Sequence, residues 1–181
     1  MLLAESRVIG DRAGPASNCL AWTLHQLGHT AQLQGAYDCA SQLHQESLAH
    51  FTTSDYPTGP PSAYHGLGTA ALGLGKSDEA AHWFTQGLAL SQVESNLASL
   101  AWCLAGLGSA AALDEAPVRA ARLWGAAEGL RQTIDCRRAP AARATDERAL
   151  AVARSQLGDQ AFAAAWAAGE ALTLQEALAE A

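Results

Sequence analysis

His25 and His29 stand four residues apart, the spacing that puts two imidazoles on one face of a helix and lets them share a transition metal. His65 is placed to supply a third nitrogen if its own helix lies alongside. No HExxH glutamate separates the pair, and spacing offers no carboxylate to orient the rings, so no metal is expected. A second candidate is Ala70-Ala71-Leu72-Gly73-Leu74-Gly75-Lys76-Ser77, a relaxed phosphate loop with Ala in place of its first Gly. That chemistry needs a strand before the loop and a helix after it, so that backbone amides converge on a phosphate. Here a helical pattern precedes it. There is no Gly-x-Ser-x-Gly elbow and no nucleophile with a base assigned by spacing. Asp78-Glu79 and Asp146-Glu147 fall near expected helix N-termini, where the helix dipole favours carboxylates without any catalysis. The residues predict no catalytic group and no cofactor, hence a non-enzymatic chain.

The elements that carry these residues announce themselves by an internal repeat. Leu27-Gly28, Leu67-Gly68 and Leu107-Gly108 recur at an offset of forty, as do Ala40, Ala80 and Ala120 and the bulky trio His44, Phe84 and Trp124. Within one unit, Leu24-x-x-Leu27-Gly28-x-x-Ala31 followed by Ala40-x-x-x-His44 reproduces the skeleton of a tetratricopeptide repeat, with Leu for the first aromatic and Ala for the second. The expected fold is all-α: a right-handed superhelix of tetratricopeptide-like hairpins with C-terminal capping helices.

The first hairpin is expected to open at a Ser17-Asn18 cap, turn at Gly35-Ala36 and run from about Tyr37 to Phe51. The breaker-rich stretch 52–61 connects it to the second, and Ser95-Asn96 caps the third, whose turn is Asp114–Pro117. Three repeats over 16–134 (16–56, 57–94 and 95–134) therefore lie between a remnant helix of a preceding repeat at 1–15 and capping helices at 135–181, all in one structural domain. Leu2–Ser6 resembles Leu43–Ser47, which suggests an excised fragment. Gly28, Gly68 and Gly108 each cost a helix about 1 kcal/mol against Ala. A cost repeated at one phase implies close approach of the second helix of each hairpin. His44, at the position of Phe84 and Trp124, reads as a packed core histidine.

Leu24, Leu27 and Ala31 are expected to point into the first hairpin, leaving Trp22, His25, His29 and Gln32 as a separate stripe. The equivalent positions are Ser62, His65, Thr69 and Leu72, then Trp102, Ala105, Ser109 and Ala112. Together they predict a concave groove floored by two Trp and three His with small polar groups between. A Trp at either position also suits packing against a neighbouring unit.

Composition narrows the classes of function. Formal charge is −7 over 181 residues, against nucleic-acid binding, which needs clustered cations. Residues 21–100 hold one Lys, no Arg and all six His, so the first two repeats are expected to present an acidic, His-bearing surface. The arginines between Arg119 and Arg154 are mixed with carboxylates and read as a solvated face. Cys19, Cys39, Cys103 and Cys136 lack CxxC spacing and are expected as free thiols. No window approaches 18 consecutive apolar residues and no signal peptide is evident, so no membrane association and a cytoplasmic location are expected.

At the third unit, RAARLWGAAEGLRQTI and then LAVARSQLGDQAFAAAWAAGEALTLQEALAEA carry a resemblance, most specific at Arg119–Arg131 and Leu157–Ala171. The chain resembles the C-terminal tetratricopeptide region of bacterial STAND-type NTPases, many of them LuxR-type or SARP-type transcriptional regulators. The resemblance implies a sensor arm that binds a protein or peptide partner, or a small-molecule inducer, in its groove and controls NTPase and output domains of the same polypeptide. Neither of those domains is in this sequence. Self-association through the N-terminal end, giving a homodimer, is a further expectation.

Overall fold

Ala and Leu, both strong helix formers, fill the chain between its turns. The computed structural model is accordingly built of helices, and it describes residues 15–53, 59–134 and 140–181. In chain order these are α1 (Pro15–Leu33), α2 (Tyr37–Thr53), α3 (Gly59–Gly73), α4 (Ser77–Val93), α5 (Leu97–Leu113), α6 (Pro117–Thr133), α7 (Pro140–Leu157), α8 (Asp159–Glu170) and α9 (Leu174–Glu180). Among the described residues there is no strand. From α1 to α6 each helix packs on the next, and α3 touches both α1 and α5. The first helices of the three sequence units thus lie side by side.

The turns inside these pairs repeat atom for atom. Ala36 N–H donates to Ala31 O at 2.9 Å, Lys76 N–H to Ala71 O at 3.0 Å and Ala116 N–H to Ala111 O at 2.9 Å. This closure requires a left-handed residue, supplied by Gly35 at φ +77°, Gly75 at +74° and, in the third turn, Glu115 at +55°. The phosphate-loop look-alike at Gly75-Lys76-Ser77 is therefore the second copy of a hairpin turn with a helix, α3, before it.

The repeated glycines are notches for rings. A Cβ on Gly28 would stand 2.8 Å from the His44 ring, one on Gly68 2.6 Å from Phe84, and one on Gly108 3.0 Å from Trp124. Two further notches come from the next hairpin: a Cβ on Gly66 would lie 2.5 Å from His44, and one on Gly106 would collide with Phe84. His44 and Phe84 are each held between a glycine of their own hairpin and a glycine of the next. Like Trp124, both are fully buried, so His44 is indeed a packed core histidine.

Several expectations are corrected. Leu27 is 51% exposed and does not point into the hairpin, whereas Leu67 and Leu107 are buried and Ala31 is buried as expected. Leu67 and Leu107 have an earlier hairpin packed beside them; no described helix precedes α1. Helix α1 starts at Pro15, ahead of the expected Ser17-Asn18 cap, and α3 starts at Gly59, taking Pro60 and Pro61 into a first turn that needs no backbone donors. The arginines are not all solvated: Arg131 is buried, donates to Ala101 O at 3.2 Å and pairs with Glu128. The remnant helix expected at 1–15 falls almost wholly outside the described residues, as does Cys136.

The C-terminal helices pack by a different rule. Helix α8 lies directly on α6, where a Cβ on Gly125 would meet Trp166 O, one on Gly169 would meet Arg122 O, and one on Gly129 would stand 2.7 Å from Glu170 O. Helix α9 opens with the expected capping box: Thr173 N–H donates to Glu176 Oε2 at 2.8 Å and Glu176 N–H to Thr173 Oγ1 at 3.3 Å. It is held to α6 by the two-pronged Arg122–Glu180 pair, with Nε–Oε1 at 2.9 Å and Nη2–Oε2 at 2.8 Å.

Candidate functional site

The side-by-side first helices bring the candidate residues together as a chain of ring contacts. Trp22 is half-buried, edge-on to Phe51 of α2 at 5.2 Å and to His25 at 5.6 Å. His25 meets His44 at 5.1 Å with the planes 55° apart; forty residues on, His65 meets Phe84 at 5.7 Å and 54°. The sequence repeat is thus a repeat of ring geometry. His65 also faces Trp102 of the next unit at 6.1 Å.

Trp102 stands out by context. Every residue of α5 from Ser99 to Ala112 is buried except this one, which is 38% exposed. Within that run it is the one large side chain left at the surface.

The polar members of the predicted set point elsewhere or inward. His29 is exposed, with Nδ1 3.4 Å from Gln32 Oε1, and Gln32 Nε2 reaches across to donate to Gly66 O of α3 at 2.7 Å. Thr69 Oγ1 donates to His65 O at 2.9 Å and Ser109 Oγ to Ala105 O at 3.2 Å, each within its own helix. Ser62 and Ser109 are nearly buried, and Ala105 and Ala112 are buried, so this stripe narrows along α5.

The rings are held uncharged. Burial lowers the pKa of His25 from 6.5 to about 4, with His29 adding repulsion, and that of His65 to about 4, with His25, His29 and Arg131 adding to burial. Burial first and neighbouring histidines second lower His44 to about 3. Both His44 ring nitrogens and His25 Nδ1 are buried without a hydrogen-bond partner. Among the described residues no group of three His, Cys, Asp or Glu is arranged to hold a metal ion.

The helices that carry the acidic residues carry histidines as well: Asp38 and Glu46 share α2 with the half-buried His50, and Asp78 and Glu79 share α4 with the exposed His82, while His25, His29 and His65 lie on the uncharged α1 and α3. Cys19 and Cys39 are exposed free thiols; Cys103 is also free, and burial pushes its pKa up to about 12.

One concavity was not anticipated. A cleft of about 800 Å³ opens between α7 and α8, lined by Leu150, Arg154, Gly158, Phe162 and Trp166 among others. The Arg154 guanidinium lies 4.8 Å above the Phe162 ring and 3.8 Å from Asp159. Phe162 and Trp166 at i, i+4 beyond the Gly158 break were its sequence signal; the missing forty-residue phase left them without a counterpart to compare.

Among the described residues no helix is long and apolar enough to cross a membrane. No protein-family model matches the chain, and no curated protein matches its sequence.

Proposed function

We propose that this chain is a non-enzymatic interaction module of tetratricopeptide type, which binds a protein or peptide partner on the face formed by α1, α3 and α5. The observation that carries this reading is Trp102, the one residue left exposed in the buried run Ser99–Ala112, standing beside His65 and on the same row of first helices as Trp22 and His25. Trp is enriched among the few residues that carry most of the binding energy at protein interfaces. Repeated helical hairpins suit such work because each adds surface to one continuous face. The resemblance at Arg119–Arg131 and Leu157–Ala171 supports reading the module as the sensor arm of a larger bacterial transcription regulator.

The test is a binding experiment with the whole chain and a Trp102→Ala variant, whose fold is checked by far-ultraviolet circular dichroism. Cross-linked partners recovered by the unmodified chain and lost with Trp102→Ala support the reading. A partner set indifferent to Trp102, and to Trp22→Ala as well, would sink it.

A further inference from the structure

Charge is partitioned between the two sets of helices. Helices α1, α3 and α5 contain no Asp, Glu, Lys or Arg along their whole lengths. Their partners α2, α4 and α6 carry them all: Asp38 and Glu46, Asp78 and Glu79, then Arg119, Arg122, Glu128 and Arg131. Burial accounts for this in α5. On α1 the stripe residue His29 is exposed, a position where a charged side chain would have cost little.

Three polar groups on this face are engaged with the protein's own backbone. The Thr69 and Ser109 hydroxyls donate to backbone carbonyls of their own helices, and the Gln32 amide donates to Gly66 O. His25 and His65 remain neutral at physiological pH because burial opposes their charging. The nearby Arg131 is buried, donates to Ala101 O and is paired with Glu128. A carboxylate or ammonium brought onto Trp102 and His65 would therefore lose hydration and meet no Asp, Glu, Lys or Arg on these helices to compensate it. A ring or proline would lose nothing and gain the exposed indole face.

We infer that the partner segment bound by this face is an uncharged peptide stretch that places an aromatic ring or proline against Trp102 and His65. This rests on the binding-module reading above and sharpens it from a face to a class of ligand. Affinity for such a segment comes from burying rings, so it is nearly independent of salt, unlike that of an acidic or basic peptide.

A random dodecapeptide display library selected against the intact chain tests this, with winning peptides synthesised and titrated by tryptophan fluorescence. The expected winners share an uncharged core with at least one aromatic or proline, and their affinity changes less than about twofold between roughly 50 and 500 mM sodium chloride. Trp102→Ala weakens them by about tenfold or more, and Trp102→Phe recovers most of the loss. Winners whose shared core carries Lys, Arg, Asp or Glu, with affinity that collapses in salt but still depends on Trp102, would overturn the inference and leave the binding module standing. Absence of any Trp102-dependent peptide would overturn both.

Discussion

Helix pairs approach closely in two places, by two means. Between the hairpins of α1–α6, glycines make room for a ring: His44 lies between Gly28 and Gly66, and Phe84 between Gly68 and Gly106. Between α6 and α8, glycines let backbone meet backbone, with Gly125 against Trp166 O and Gly169 against Arg122 O. A ring can pivot by a fraction of an ångström; a helix carbonyl cannot move without its helix. The same residue type therefore tolerates change in one region and forbids it in the other.

The largest expected effect follows from that contrast. Gly169→Ala forces a methyl into Arg122 O and should cost about 3 kcal/mol or more, which urea unfolding followed by circular dichroism would register. A loss under about 1 kcal/mol would mean that α6 and α8 are free to separate.

Next comes acid. The folded state holds His44 near a pKa of about 3 against 6.5 for a free side chain, so the unfolded chain binds the proton first as pH falls. Stability is complete above the unfolded value and is lost as pH drops from there toward the folded one. By pH 5 the loss from His44 is about 2 kcal/mol, with His25 and His65 acting in the same direction. His44→Phe gives the first hairpin the ring its neighbour already has, so it should flatten part of this acid limb and add about 1 kcal/mol at pH 7 by removing two unpartnered nitrogens. Unfolding midpoints of both proteins across pH 4.5–7.5 check the sign; equal slopes would contradict it.

Smaller still is Gly66→Ala. The added methyl presses on the His44 ring, but the gain in helix propensity offsets part of the strain, leaving a net loss of about 1 kcal/mol in thermal unfolding. If it matched Gly169→Ala, the ring and backbone notches would be equivalent. At the bottom of the scale, Glu115→Gly replaces the one left-handed non-glycine among the three hairpin turns and should stabilise by roughly 0.5 kcal/mol.

The helices, their turns and the ring positions were legible because a forty-residue phase lets three copies check one another. Gly28, Gly68 and Gly108 announced a close approach before any contact was visible. Gly66 and Gly106 were not singled out, since the first unit has Gln26 at that position and the pattern looks broken. Leu27 misled for a related reason: its phase matches two buried leucines, but burial depends on a neighbour that phase alone does not supply. The site was legible as a set of residue types and only in part as a surface. Spacing placed Trp22, His25, His65 and Trp102 in one row, yet it gave no sign that Ser62 and Ser109 would be nearly buried or that Arg131 would turn inward. The α7–α8 cleft lies where the phase ends, and nothing in periodicity marks it.

A ring seated between glycines of two successive hairpins belongs to both. If one hairpin melts, His44 or Phe84 loses one wall of its slot and exposes an apolar notch on the hairpin that remains, so partial unfolding is penalised on both sides of the break. A chain written as separate modules should then unfold through this region in a single cooperative transition, with no plateau for a half-melted array.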